Sequence, residues 1–417
     1  MEAALAESNE TTDAPVSPLT NNNLAVCELC GHAAHWLGEH VALEHDLGLD
    51  EYLSRFPNAE LSSQDTKAVN GPEPSVPEHI FLDIKGVPFQ VNLRVPQEAC
   101  APMPPHYRLP QHGQLSDEIE DTLLAMQDPW ATLFIFGRGG SGKDAFGEYW
   151  SAATRTPFVE RTIQPDADVE AWFFYRDFNA ESTFWHEGPL LKALRDGYQP
   201  PDGGPVVPYI LKLTDGDRAT PRQAEFLRLL LDSSNPRIPG PLGQTYPVLP
   251  GTRIMVTANT NGAGDISGRH VSARPQDATL MERYHAVFEF PYLDWEDEKQ
   301  IIRSKFPLFV REGSSAQIEV NGSVKTVDLI EQVGKVVRKI RDDIQGGKLY
   351  TDFSHRHLCW WLKHAQHRIN HEGVTTDLLA RSAKVWLTRI GDSRTKLEVK
   401  KIMDAHISGG VLNRKRN

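Results

Sequence analysis

Gly137, Gly139, Gly140, Ser141 and Gly142 stand directly ahead of Lys143 and Asp144. This spacing suits a loop whose backbone amides wrap phosphate oxygens, because glycine lets the chain pass close to the ligand. Lys143 then reaches the β and γ phosphates, and a helix starting at the lysine adds the positive end of its dipole. The position after the lysine, where a Ser or Thr hydroxyl ordinarily meets Mg²⁺, holds Asp144. The chemistry expected is nucleoside triphosphate binding with an unusual metal position.

A second constellation lies near the N-terminus. Cys27, Cys30, His40 and His45 follow the pattern Cys-x2-Cys-x9-His-x4-His, the ligand types and spacing of a tetrahedral Zn²⁺ site. A helix over Trp36–His45 places His40 and His45 on nearly one face, opposite a knuckle at Glu28–Gly31. His32 and His35 stay open as rival ligands, and a redox CxxC is the other reading. Around this site Glu28, Glu39, Glu44, Asp46, Asp50 and Glu51 face a single base, Arg55. Phosphate contacts dominate DNA affinity, so a structural or protein-recruiting finger is favoured over a DNA-binding one, which stays open. His357, His364, His367 and His371 also fall near helical spacing. Beside Trp360 and Trp361 they read as core or solvated histidines rather than ligands.

The elements needed to position these residues can be found. Ala131–Phe136 is a short apolar run suited to a buried parallel strand, and Ala145–Ala153 reads as the helix after the loop. Pro208–Leu213 is a second such strand, followed by Thr214 and Asp215 and a helix over Pro221–Leu231. Arg253–Asn259 is a third. Expected helices at Glu298–Ser304, Val327–Ile344, His355–His371 and Asp377–Ile390 follow. The fold class is α/β: a three-layer P-loop nucleoside triphosphatase core, a helical lid and a small N-terminal zinc finger. The boundaries expected are a disordered segment 1–23, a finger 24–57 and a linker 58–76. A β-hairpin around Lys85 and Gly86 with a Pro-rich connector fills 77–112, ahead of a nucleotide-binding core 113–295 and a lid with tail 296–417.

Composition narrows the partners. The chain has 417 residues, 40% hydrophobic and 24% charged, too long for one compact core. Its net charge of −12 argues against a whole-surface nucleic-acid binder, leaving only a short basic tail at Arg414–Arg416. No run approaches the roughly 18 apolar residues needed to cross a bilayer, and no signal peptide is visible, so a cytoplasmic protein is expected. Four cysteines make no disulfide framework; Cys100 and Cys359 read as buried structural thiols.

Further along, the chain resembles the MoxR and CobS branch of the AAA+ ATPases, CobS being the ATPase subunit of aerobic cobaltochelatase. The segment Phe184–Leu190 is similar to the family's Phe-x-x-Gly-Pro-Leu stretch, and Thr260–Asp265 to the pattern after its sensor strand. Leu280–Tyr284 matches Leu-x-Asp-Arg-Phe, and Ser354–Arg356 matches Ser-Pro-Arg. The resemblance implies ATP and Mg²⁺ as cofactors, with Thr214 at the Mg²⁺ aspartate and Asp215 at the catalytic glutamate. Asp144 and Thr214 thus exchange hydroxyl and carboxylate, keeping the ligand set for one hard cation. It also implies Asn259 as the residue orienting the attacking water, Arg283 as a finger reaching a neighbour's γ-phosphate, and Arg356 as the lid's sensor. A finger supplied in trans implies a homo-oligomeric ring, a hexamer. Such motors remodel or activate a partner, often one with a von Willebrand factor A domain, which would be a separate protein. The segment Cys27–Phe56 is similar to the Ros/MucR zinc fingers. The alternative is a non-hydrolysing ATP-binding regulator tethered by its finger to DNA or protein.

Overall fold

The computed structural model describes residues 25–26, 28–29, 33–34, 41, 45, 52, 54–56, 80–178, 183–265, 270–320 and 323–407. Two compact units emerge, Met1–Glu78 and His79–Asn417. In the first, β1 (Ala25–Val26) pairs antiparallel with β2 (Ala33–Ala34). Tyr52 is fully buried, and its hydroxyl accepts the amide of Glu28 at 2.8 Å. Its carbonyl accepts Phe56 N at 2.8 Å and its ring lies 5.2 Å from that of Phe56. One tyrosine therefore pins the turn between the strands from 24 residues away. Three of the expected zinc ligands, Cys27, Cys30 and His40, lie outside the described residues; His45 is half-buried.

The second unit opens with a hairpin of β3 (Ile80–Ile84) and β4 (Val87–Val91). Lys85 (φ 53°) and Gly86 (φ 81°) both take left-handed backbone, the two-residue turn whose twist matches that of the strands. After α1 (Gly113–Ala125) come β5 (Thr132–Phe136), α2 (Lys143–Thr154) and β6 (Phe158–Thr162). An exposed hairpin of β7 (Phe174–Phe178) and β8 (Thr183–Glu187) precedes α3 (Pro189–Asp196), β9 (Ile210–Thr214) and α4 (Pro221–Leu230). A second hairpin, β10 (Arg237–Pro239) with β11 (Thr245–Pro247), leads to β12 (Arg253–Ala258), α5 (Ala278–Met281) and β13 (Ala286–Glu289).

β13, β5, β12, β9 and β6 form, in that order, one wholly parallel sheet. Both faces are covered, as parallel sheets require. Leu133 and Ile135 pack with Leu115, Ile119 and Leu123 of α1 and with Phe146 and Trp150 of α2. Phe134, Leu211 and Leu213 pack on the other face with Leu190 and Leu194 of α3 and Leu227 of α4. The alternation along each strand thus builds a three-layer α/β core, with every strand's C-terminal end on one edge.

A helical subdomain follows: α6 (Trp295–Lys305), α7 (Pro307–Gly313), the hairpin β14 (Ala316–Val320) with β15 (Ser323–Val327), α8 (Leu329–Gln345), α9 (His355–Glu372), α10 (Leu378–Ser382), α11 (Lys384–Leu387) and α12 (Ser393–His406). Its core runs from Trp295 and Phe309 through Val336, Val337 and Ile340 to Trp361 and Trp386. The single helix expected at Asp377–Ile390 is two short ones, α10 and α11. Where α10 gives way to α11, the carbonyl of Leu379 is shared between Ala383 N (3.0 Å) and the indole of Trp361 (2.9 Å).

Candidate functional site

The residues from β5 to α2 build an anion cradle. Gly137 lies so close to Phe290 that a Cβ would stand 2.2 Å from its carbonyl oxygen. Gly140 (φ 80°) has left-handed backbone, and a Cβ there would meet Ser354 of the lid at 3.0 Å. Gly142 (φ 94°) caps α2, while Gly139 faces open space. Gly137 N donates to Ala258 O at 3.2 Å, tying the loop to the end of β12. The Lys143 ammonium is buried and donates to the carbonyls of Gly137 (2.7 Å) and Arg138 (3.1 Å). Burial lowers its pKa, opposed by the carboxylates of Asp144, Asp217 and Asp215. The Ser141 hydroxyl is buried without a hydrogen-bond partner. Crowded glycines, an orphaned hydroxyl and a lysine at a helix N-terminus fit a phosphate chain.

The strand ends supply oxygen. Asp144 accepts the hydroxyl of Thr257, on β12, at 2.8 Å. Thr214 donates instead to Thr162, its register partner on β6, at 2.9 Å. Asp144 and Thr214 therefore each have a protein partner, and neither is the other. Asp215 sits in left-handed backbone (φ 59°) and pairs with Arg218 at 3.2 Å. Burial raises its pKa, opposed by Arg218 and reinforced by Asp217 and Asp144. Hard oxygen donors of this kind suit Mg²⁺. Beneath them Lys212 is fully buried, held by Glu148 (2.8 Å) and Glu160 (3.2 Å).

Sequence reasoning missed Asp217. It is buried, and its Oδ2 accepts Asn259 N (3.0 Å), Thr260 N (3.0 Å) and Thr260 Oγ1 (3.1 Å). This one carboxylate orders the chain just beyond β12 and so sets where Asn259 stands. The only available signal was a second acid in the Asp215-Gly216-Asp217 run. Thr257 was missed as well, because its partner lies 113 residues away.

The lid closes the site from above. The Ser354 backbone leads into α9, whose first turn brings His355 and Arg356 to the phosphate loop. Arg138 of the loop pairs with Asp352 at 2.9 Å. An apolar cavity of about 160 Å³ lies between the loop, α1, α6 and the Pro-rich connector, lined by Pro105, Tyr107, Leu115, Ile119, Phe290, Leu293 and Ile301. Its mouth shares Gly140, Gly142, Ala145, Lys305 and His355 with a wider cleft of about 550 Å³. That cleft adds Lys143, Asp144, Glu148, Arg356, Cys359 and Lys363. An apolar pocket opening onto a basic, glycine-floored cleft is shaped for a planar base joined to phosphates.

Arg283 lies elsewhere. It pairs with Asp232, and its carbonyl accepts Ser233 N at 3.2 Å. The next residue but one, His285, donates its amide to Thr132 O at 2.8 Å, at the start of β5. The phosphate loop leaves the opposite end of that strand.

No family model matches the chain. It is similar to an uncharacterised protein of Staphylococcus haemolyticus, 22% identical over 224 residues, covering 52% of this chain and 78% of that one. Among solved structures, two point mutants of Thermotoga maritima RuvB align at 12% identity and a TM-score of 0.39. They cover 66% of this chain and 71% and 69% of theirs. No helix among the described residues is long and apolar enough to cross a membrane.

Proposed function

We propose that the chain is an AAA+ ATPase of the MoxR/CobS type, which binds ATP with Mg²⁺ and hydrolyses it to remodel a partner protein in the cytoplasm. The observation that carries this reading is the junction of an apolar pocket with the phosphate loop and the first turn of α9. In it the base occupies the pocket beside Tyr107 and Leu293, and the phosphates lie along Gly137–Lys143. Asp144 and Thr214 are the metal ligands, and the cation supplies charge neutralisation for the phosphate oxygens. Asp215 takes the proton of the attacking water, Asn259 orients that water, and Arg356 engages the phosphates from the lid.

Arg283 acts in trans. It stands at the far end of β5 from the loop, about 13 Å along a five-residue strand, which is out of reach of its own phosphate site. The working unit is therefore a ring, a hexamer by the family's habit. The N-terminal segment binds Zn²⁺ through Cys27, Cys30, His40 and His45 and recruits protein, the client being a von Willebrand factor A-type or chelatase-like partner.

A second reading, ATP binding without turnover, is favoured by one observation: the Asp144 and Thr214 oxygens are engaged with Thr257 and Thr162. One experiment separates the two. Calorimetry of Mg-ATP binding is run beside phosphate release for the wild type and Lys143→Ala. Binding lost with Lys143, and turnover present in the wild type, supports the motor. Binding without turnover, alone or with a co-purified partner, selects the second reading, and unchanged binding in Lys143→Ala overturns both.

A further inference from the structure

Cys359 was expected to be an inert buried thiol, yet it lines the wide cleft beside the phosphate loop. Its Sγ lies 3.1 Å from Nε2 of His355, one helical turn back on α9. The other ring nitrogen, Nδ1, lies 2.8 Å from Oε1 of Glu298 on α6. Glu298 is fully buried, and Arg341 of α8 holds both its oxygens, at 2.7 and 3.0 Å. The result is a thiol, an imidazole and a carboxylate in series from two helices, α9 and α6, backed by the Arg341 guanidinium of a third, α8. A carboxylate behind the imidazole fixes its orientation and favours its charged form, which stabilises a thiolate in front of it.

The charges around the sulfur agree. Burial raises the Cys359 thiol, but the hydrogen bond and charge of His355, with Lys305 of α6, outweigh it and hold the thiol below its ordinary range. Burial likewise opposes charge on His355, yet Cys359 and Glu298 push it up to about 9. Lys363 lines the cleft from the same helix, and Lys143, Asp144 and Glu148 line it from α2. Cys100 is the internal contrast: its sulfur donates to the Pro96 carbonyl at 3.7 Å, and burial pushes that thiol up to about 11 against the opposing charge of Arg155.

We propose that Cys359 is a covalent modification site for anionic low-molecular-weight disulfides, and that the adduct closes the cleft to nucleotide. The proposal rests on the nucleotide-binding reading of the same cleft. The thiolate attacks one sulfur of the disulfide, an Sγ–S bond forms, and the reagent's S–S bond breaks. The released half departs as a thiolate, and His355 keeps the proton it took from Cys359. Lys305, Arg356 and Lys363 draw an anionic reagent to the sulfur, where the adduct stands in the path of the phosphates.

The test uses the full chain and oxidised glutathione, with adducts at each cysteine quantified by peptide mass spectrometry. Cys359 is expected to react at least about tenfold faster than Cys100 at neutral pH. Its rate should fall less steeply between pH 8 and pH 6 than that of an ordinary thiol such as Cys100, which loses about tenfold per pH unit. Saturating ATP should protect Cys359 alone, and the adduct should weaken ATP binding at least tenfold until dithiothreitol removes it. His355→Gln should restore the steep pH dependence; if that variant fails to fold, the wild-type pH profile decides. Parity with Cys100, an ordinary pH slope, or an adduct that leaves ATP affinity unchanged overturns the proposal. A reduced protein that binds no ATP instead defeats the nucleotide reading, while the rate contrast still judges the thiol.

Discussion

Asp144 and Thr257 are joined at 2.8 Å, first turn of helix to end of strand, so the residue after the phosphate-loop lysine is tied to the strand that leads into Asn259. Exchanging hydroxyl and carboxylate between Asp144 and Thr214 tests whether both serve one cation. Asp144→Ser alone removes the carboxylate, and Thr214→Asp alone sets a second one beside the phosphates. Each should cut steady-state hydrolysis about a hundredfold, and the double variant should recover at least about tenfold over the product of the single effects. Simple multiplication of the two effects would mean that the residues act on separate groups.

Asp217 offers a cleaner separation of positioning from binding. Asp217→Ala strands two backbone amides and a hydroxyl, a local cost of about 3 kcal/mol. We expect kcat to fall about a hundredfold with KM for ATP nearly unchanged, and Asp217→Asn, which keeps an acceptor, to retain most activity. Loss of ATP affinity in parallel with kcat would show that the carboxylate shapes the binding cleft as well.

Arg283 is tested by mixing. Rings of Arg283→Ala subunits and rings of Lys143→Ala subunits should each be inactive. Mixed rings should regain hydrolysis, because an intact loop can then meet an intact arginine across an interface. Verified mixed rings without activity would leave Arg283 as no more than the partner of Asp232.

The lid should carry a pH signature from Glu298 and His355. Burial raises the Glu298 pKa, but Arg341 and His355 overcome it and hold it at about 2. Its stabilisation is therefore complete above the ordinary glutamate range and lost as pH falls through about 2. His355 is raised to about 9, so its contribution is complete below about 6.5 and fades as pH rises through about 9. Thermal melts should show a plateau between the ordinary glutamate range and about pH 6.5, and a steady decline from there to about pH 9. Glu298→Ala, which strands Arg341 and His355, should cost about 3–5 kcal/mol. A melting temperature flat from pH 6 to 10 would contradict this account.

How much could be read in advance follows from the range of each interaction. The strand, loop and helix from Ala131 to Ala153 are legible because glycines, an apolar run and a helix start are local signals. The observed Thr132–Phe136 and Lys143–Thr154 differ from them by a few residues. Trp295–Lys305 was found from Glu298 onward, and its first turn was missed because the Asp294 cap is a single side-chain bond. The hairpins at Phe174–Glu187, Arg237–Pro247 and Ala316–Val327 are built of strands of three to five residues, too short for a periodic pattern. The pocket-lining role of Tyr107, the hold of Asp217 and the chain from Cys359 to Arg341 all depend on partners distant in sequence. Composition carries no trace of them.

The approach of Ser354 to Gly140 has a mechanical consequence. α9 begins where the phosphate loop has no side chain, so backbone and lid meet with almost nothing between them. A helix of 18 residues extends about 27 Å from that fulcrum, and a tilt of about 10° swings its far end by roughly 5 Å. A rearrangement of the loop that tilted α9 about this contact would therefore be felt most at the far end of the helix, near Glu372.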